Sequence, residues 1–558
     1  MLFRLMPNLP LKIFSFLNQN KKAVALVLTV ISGVVILWPL LDFQYFLAQG
    51  DHGRELYGYR KTLDGGLAYR DFSWPFGPLL TYYYSTFYRL FGVKIQSVLL
   101  GQNLILLAVG VLMFLICSGL SSPAIGYLCA VWYWAFRGSE FFYCYHHIGG
   151  VSFVLLILWA TVRYLQSAKR LYVFWGFAGV FCLLLTRLNM GLAVLAAYVL
   201  SLFFLDYAKK DTAAAQKRKF YVLSSAGVLL LAGFFYWLIV RPVPFYVIYQ
   251  SFPYGNPQRG DNPVNVFSAL RLLGTLINSK LSGSLSLESL GVFVMLALAQ
   301  FLYLLLKKRL PPEAKKELSL VFTVLLIFLL FAGHELLLGG TWFRFFWAHH
   351  IVFIIIFYLL YCLIRFGSKK IFTPLVRASI LTLFLVSAGV QAVNSWKYIQ
   401  LFKNPWHLLQ YGENKVYTTQ PPDWFFTVFL TTDFLRQNTR EDEKIFALPH
   451  DSLYYFLSGR DSGTRQLDFF EHNFIPEEQE RATIADLKRN KVNWIVLSNR
   501  SSSLEQGMGV LGETHCLILS AYITEHFETA ASFGDVNASP GWVANHAVKI
   551  LKRKSPLE

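Results

Sequence analysis

Charge is scarce in this chain. Of its 558 residues 15% are Asp, Glu, Lys or Arg, whereas a soluble protein carries about a quarter. That shortage excludes an ordinary soluble enzyme. Cysteine is sparse too. Cys117, Cys129, Cys144, Cys182, Cys362 and Cys516 contain no CxxC pair, and most lie in or beside apolar runs. A zinc knuckle or a disulfide framework is therefore not expected. The phosphate loop GxxxxGK[ST] is missing, which argues against an ATP-driven pump. So is the elbow GxSxG of a lipase-type nucleophile. No dinucleotide glycine fingerprint precedes a cytoplasmic helix. The histidines show no HxxxH spacing, and no internal repeat is visible.

What is abundant is apolar length. The composition is 55% hydrophobic and 17% aromatic, with mean hydropathy +0.44. Runs near 20 residues are what a roughly 30 Å hydrocarbon layer requires of a helix. About eleven spans follow from hydropathy, at 23–41, 97–117, 120–136, 148–165, 171–186, 188–206, 220–240, 288–306, 318–338, 350–364 and 376–393. Pro123 suits the first turn of the third. Arg4, Lys12, Lys21 and Lys22 precede the first run, which ends in LWPLLDF without a cleavage motif, so an uncleaved anchor is expected.

The net charge of +18 is spread over short connectors rather than gathered on one soluble face, so it orients spans and does not read nucleic acid. One set of connectors holds Arg163, Lys169 and Arg170, then 209–219, 307–316 and 365–377. By the positive-inside rule this set and the N-terminus are cytoplasmic. The first loop (42–95), the loop 137–147, the irregular stretch 241–287, the segment 333–350 and the C-terminus then face outward. The expected fold class is a polytopic all-α membrane domain (1–393), a linker (394–423) and a small extracytoplasmic α/β domain (424–558). In the last, 425–437 and 477–490 read as helices, and 444–448, 492–497 and 547–551 as strands.

The most informative stretch is GDHGRELYGYRKTLDGGLAYRDFSWPFGP, residues 50–78. It is acidic, aromatic and glycine-rich, and it follows the first span. Asp51 lies within about ten residues of the span end, and Glu55 is one helical turn on. Asp71 follows in AYRDF. Each carboxylate can be a solvated loop group or a cap, but one at the membrane boundary, partly desolvated, suits general-base work. Arg187, in LLLTRLNMG, and Arg344, in GGTWFRFFWAHH, lie at outer span ends where an anionic partner is needed, and an Arg fork suits phosphate. The alternative for both is contact with lipid head groups or with a carboxylate. His52, His146, His147, His334, His349 and His350 face the same side, as substrate contacts, packing groups or metal ligands.

Three passages together resemble the GT-C superfamily of membrane glycosyltransferases, in particular the protein O-mannosyltransferase-like group that includes the lipid A aminoarabinose transferase. They are Asp51 followed by GGLAYRDFSWPFGPL, TRLNMG around Arg187, and WFRFFWAHHIVF with Arg344. The C-terminal IFALPHDSLYYFLSGR and KVNWIVLS are similar to the periplasmic α/β domain of bacterial members. Two departures stand out. The loop that often supplies a second acid offers Glu140 and the pair His146–His147, and Ala348–His350 replace the proline after the late Arg. They leave the donor sugar and any divalent metal open, and no metal ligand is assigned.

The resemblance implies an inverting transferase in the bacterial cytoplasmic membrane. It would move a sugar from a polyprenyl-phosphate carrier to a hydroxyl of a glycolipid, glycan or protein on the outer face. Asp51 is then the base, and Glu55 or Asp71 holds the loop or the acceptor. Arg187, Arg344 and Arg137 receive the carrier phosphate, and His52, Tyr69, His146, His147 and His349 are candidate substrate contacts. A lipid or solute transporter (or flippase) with an outer accessory domain is the alternative, and it calls for ionisable groups near mid-span. A non-catalytic assembly protein is a third reading.

Overall fold

The computed structural model describes residues 20–44, 47–136, 145–209, 214–241, 303, 310–334, 346–366, 404, 407–471, 475–502, 509–538 and 545–555. Among these, five helices are long and apolar enough to cross a membrane: Lys21–Leu41 (its last turn 3-10), Ile95–Leu120, Tyr145–Ser167, Leu188–Ala208 and Ala214–Ile239. Further apolar helices, Pro123–Phe136, Arg170–Leu184, Pro312–Ala332 and Phe346–Phe366, pack among them. The expected spans 288–306 and 376–393 lie outside the described residues, as do Arg137, Glu140 and Arg344.

Lipid contact is written into the burial. Only 6% of the apolar window in Ala214–Ile239 is covered by protein, and Val222, Leu223, Leu230, Phe234 and Trp237 stand exposed. An apolar patch of that length is stable only against hydrocarbon. Ile95–Leu120 and Tyr145–Ser167 are instead 61% and 67% covered and form the middle of the bundle. Pro123 opens its helix, where its missing N–H costs no hydrogen bond.

The loop after the first span contains two helices. Asp51–Leu63 and Leu79–Phe91 form two packed helices. The first is polar by composition yet mostly buried. Asp51 in its first turn and Arg60 and Lys61 in its last match the helix dipole, but its partners lie some 400 residues away. Arg60 donates to the Tyr455 carbonyl (3.0 Å) and to Asp461 (2.6 Å), Lys61 donates to Asp461 (3.0 Å), and the Ser462 N–H donates to the Tyr57 hydroxyl (2.9 Å). The loop helix is thus seated on the C-terminal domain. The seat is tight: a Cβ on Gly53 would fall inside the Leu453 backbone.

That domain carries the strands β3 (Ile445–Leu448), β4 (Trp494–Ser498), β5 (Phe527–Phe533) and β6 (Val548–Arg553) in the order β3-β4-β6-β5. β3 and β4 are parallel, joined through the helix Glu477–Arg489, and the other pairings are antiparallel. Alternation along the strands serves two cores. Phe446, Leu448, Ile495 and Leu551 pack with Phe469, Leu487 and Leu519 on one face, while Ile445, Ala447, Val496 and Ile550 join the large core continuous with the bundle. Within the stretch read as linker, β1 (Leu408–Tyr411) and β2 (Asn414–Tyr417) form a hairpin. It is tied to the first span by exchange between Tyr417 and Asp42–Gln44, and Asn414 Oδ1 accepts the Ile95 N–H at 2.9 Å.

Candidate active site

Asp51 begins the loop helix and meets two cations. Arg54, one turn on, donates to Asp51 Oδ1 at 3.0 Å, and His450 Nε2 lies 3.1 Å from the same oxygen. Behind them stands Asp468. Arg54 Nη1 donates to Asp468 Oδ2 at 2.7 Å, and His450 Nδ1 is hydrogen-bonded to Asp468 Oδ1. His450 therefore has a carboxylate at each ring nitrogen, so both nitrogens donate and the ring is an imidazolium. Burial disfavours its charge, but Asp468 and Asp51 outweigh burial and hold it above the usual histidine value. Burial likewise works to raise the Asp51 carboxyl, and is overcome by the hydrogen bond from His450 and the charge of Arg54. The group stays ionised well below the ordinary range. Its side chain remains 30% exposed, whereas Arg54 and Asp468 are at 9%.

Glu55 lies behind Asp51 and is fully buried. Its Oε2 accepts the Tyr145 N–H (2.7 Å) and the Tyr59 hydroxyl (2.9 Å), and its Oε1 is bonded to His146 Nδ1. Burial pushes this carboxyl up to about 7, partly opposed by the charge of His52, the Tyr59 hydroxyl and Arg54. His146 lies flat against Phe76, next to the ring of His147, 3.9 Å away between centroids. Arg187 Nη1 donates to His147 Nε2 at 2.6 Å.

Phe76 joins the two halves. The Arg54 guanidinium is 5.4 Å from its ring centroid and the Arg187 guanidinium 6.0 Å, and Arg187 also lies 5.8 Å from Trp347. Cations over aromatic faces are attracted by the ring quadrupole. Local backbone explains the placement. The Gly77 N–H donates to Thr186 O and the Leu79 N–H to Leu185 O, which draws the WPFGP turn against the short connection that ends at Arg187. A Cβ on Gly77 would strike the Leu185 carbonyl. Arg187 itself caps the helix Leu188–Ala208 in extended conformation.

Of the residues expected from the sequence, His146, His147 and Arg187 thus meet at one phenylalanine, while Asp51 and Glu55 are joined to it through Arg54 and His146. Other expected residues serve the frame. Asp71 is exposed, pairs with Arg70 (2.6 Å) and accepts the Leu67 N–H (2.8 Å), closing its own turn. Tyr69 is fully buried, and its hydroxyl donates to the Phe76 carbonyl. His52 is buried, accepts the Ala48 N–H at Nδ1 (3.1 Å) and packs edge-on against Tyr145. His349 stacks beside His350 on the helix Phe346–Phe366. Among the described residues no three His, Cys, Asp or Glu side chains are placed to hold a metal ion. Sequence reasoning missed Arg54, Phe76, Trp347, His450 and Asp468. Arg54, Phe76, Trp347 and His450 lie inside stretches quoted above, and Asp468 lies outside them.

No protein-family profile and no curated protein matches the sequence. Solved structures do. The oligosaccharyltransferase of Archaeoglobus fulgidus, tethered with an acceptor peptide, aligns at 12% identity over 96% of this chain and 76% of its own, with a TM-score of 0.52. ArnT from Cupriavidus metallidurans bound to undecaprenyl phosphate aligns at 13% identity over 94% and 97%, with a TM-score of 0.50. The mycobacterial arabinofuranosyltransferase AftD aligns at 12% identity over 96% of this chain and 40% of its own, again with 0.50. At such identities the likeness is one of fold.

Proposed function

We propose that this chain is an integral-membrane glycosyltransferase that takes a sugar from a polyprenyl-phosphate carrier. The transfer would go to an acceptor hydroxyl on the outer face of a bacterial cytoplasmic membrane, with inversion at the anomeric carbon. The observation that carries this reading is that Arg187 meets Phe76 together with Arg54, which is bonded to Asp51, and His146, which is bonded to Glu55, from segments more than 100 residues apart. Structural neighbours bound to undecaprenyl phosphate and, for the archaeal enzyme, dolichol phosphate support it.

In this mechanism Arg187 meets the carrier phosphate through its guanidinium fork. Asp51, ionised and partly exposed, faces the sugar, where a carboxylate stabilises positive charge developing at the anomeric carbon. The sequence-based role for Asp51 is also to take the acceptor proton. Its ionised state suits an acceptor, while the two cations that keep it ionised lower its affinity for that proton. No nucleotide site is required, because the membrane presents the donor.

The test compares surface glycolipids, glycans and glycoproteins, by mass analysis, from cells with and without the gene. A modification absent only in the deletion strain is expected. It should return with the wild-type chain and stay absent with Asp51→Asn at equal membrane abundance. An unchanged envelope in the deletion strain would remove the proposal.

A further inference from the structure

We infer that His146 Nε2 is the atom that takes the acceptor proton, with Glu55 as the residue that positions it. The inference rests on the glycosyl-transfer reading above and deepens it. Its ground is geometric. His146 is 1% exposed, its Nδ1 is fixed on Glu55, and its Nε2 is buried without a hydrogen-bond partner among the described residues. Leaving a buried polar atom unmet is costly, so a native site that keeps one has a use for it. The Tyr145 N–H and the Tyr59 hydroxyl hold the far oxygen of Glu55, so the carboxylate cannot turn away from the ring. Phe76 covers one face of the imidazole and His147 stands beside it. A carboxylate on Nδ1–H selects the tautomer that bares Nε2 and stabilises the imidazolium formed when Nε2 accepts a proton.

Charge around the ring agrees. Asp51, Asp468 and Glu55 are opposed by Arg54, Arg187 and His450, and these charges cancel if His146 is neutral. The groups facing it are Glu55, Asp51, Arg54 and His52 from the loop helix, Arg187 from the 185–187 connection, His147 on its own helix, and Tyr84, whose hydroxyl donates to the Tyr145 carbonyl at 3.2 Å.

The step balances without a co-reactant. The acceptor oxygen bonds to the anomeric carbon as its proton passes to Nε2. The bond from that carbon to phosphate breaks, and its electron pair goes to the phosphate oxygen. The product phosphate monoester, with a second pKa near 6, can then take the proton from the imidazolium and leave the site as it began.

Two measurements test this. The first is ¹⁵N NMR of the histidine-labelled, detergent-solubilised full chain at pH 7.5, with the His146 signal assigned by its loss in His146→Gln. A neutral ring protonated at Nδ1 is expected. A ring protonated at Nε2 overturns the inference whatever the activity. The second is turnover against pH, with lipid-linked sugar extracted from the host membranes as donor and released lipid phosphate as readout. His146→Gln should lower kcat by about 10²–10⁴-fold with donor KM within about threefold. Wild type should lose activity as pH falls below about 7, and Glu55→Gln should displace that limb. Retention of the limb in both variants, or kcat within fivefold in His146→Gln, overturns the inference. Absence of any transfer by wild type removes the glycosyltransferase reading, and the NMR measurement still decides the state of His146.

Discussion

Asp468→Asn probes the cross-domain ion network, because the Asp468 carboxylate binds both Arg54 and His450. The carboxylate is nearly buried and accepts two charge-assisted bonds, from Arg54 at 2.7 Å and from His450. Such bonds contribute about 1.5–3 kcal/mol each. Asparagine keeps one acceptor oxygen, and Asp51 still faces both cations, so the loss should stay below the 3–5 kcal/mol of a fully orphaned buried charge. A cost of about 1.5–3 kcal/mol is expected. At about 2–4 °C per kcal/mol for a domain of this size, the thermal transition should fall by about 3–12 °C. The assay is thermal unfolding of the detergent-solubilised chain, followed by tryptophan fluorescence, with Asp442→Asn as control. The Arg440–Asp442 pair is 80% and 76% exposed, and its loss should be near zero. The sign with pH is fixed. Asp468 titrates below its ordinary value: burial would raise it, but Arg54 and His450 prevail. Its stabilisation is complete above about pH 4 and fades as pH falls through the lower folded value. His450 titrates above its ordinary value, so its contribution is complete below about pH 6.5 and fades as pH rises through the raised one. The gap between wild type and variant should therefore be widest between about pH 4 and 6.5. Equal transitions at pH 6, or a gap that widens on acidification, would refute the network as described.

Other substitutions probe the pocket itself. Arg187→Ala should weaken donor lipid by about 10–100-fold, from about 1.5–3 kcal/mol per charged hydrogen bond. Arg187→Lys should recover only part of it, since a point charge cannot reproduce the fork; equal KM in all three forms would deny Arg187 the phosphate. Phe76→Leu keeps bulk but removes two cation–π contacts worth about 0.5–1 kcal/mol each, so kcat/KM should fall by about 5–30-fold while membrane abundance holds. Asp71→Asn should leave turnover within about twofold, because Asp71 serves its own exposed turn; a tenfold loss would return it to the chemistry.

The sequence was most legible where a single physical pressure acts on contiguous residues. Hydrocarbon thickness fixes run length, so the expected spans at 97–117, 188–206 and 220–240 lie within the helices Ile95–Leu120, Leu188–Ala208 and Ala214–Val240. Pleat and burial fix strands in the same way, and 444–448 and 492–497 reappear as β3 and β4, offset by one or two residues. The loop helix Asp51–Leu63 escaped the search because its polar residues are buried by partners rather than by solvent. Arg60 and Lys61 read as surface charge until Asp461 is set opposite them. Asp51, Glu55 and Arg187 were visible as chemistry at a boundary, since an acid beside a span end and an Arg alone between two expected spans are unusual enough to notice. His450 and Asp468 were not. Each is unremarkable in LPHDS and QLDFF, and meaning comes only from closing a loop of about 400 residues that sets an imidazole between two carboxylates. Because that closure places His450 directly on Asp51, the C-terminal domain belongs to the same electrostatic unit as the loop helix, and a perturbation of either is felt by the other.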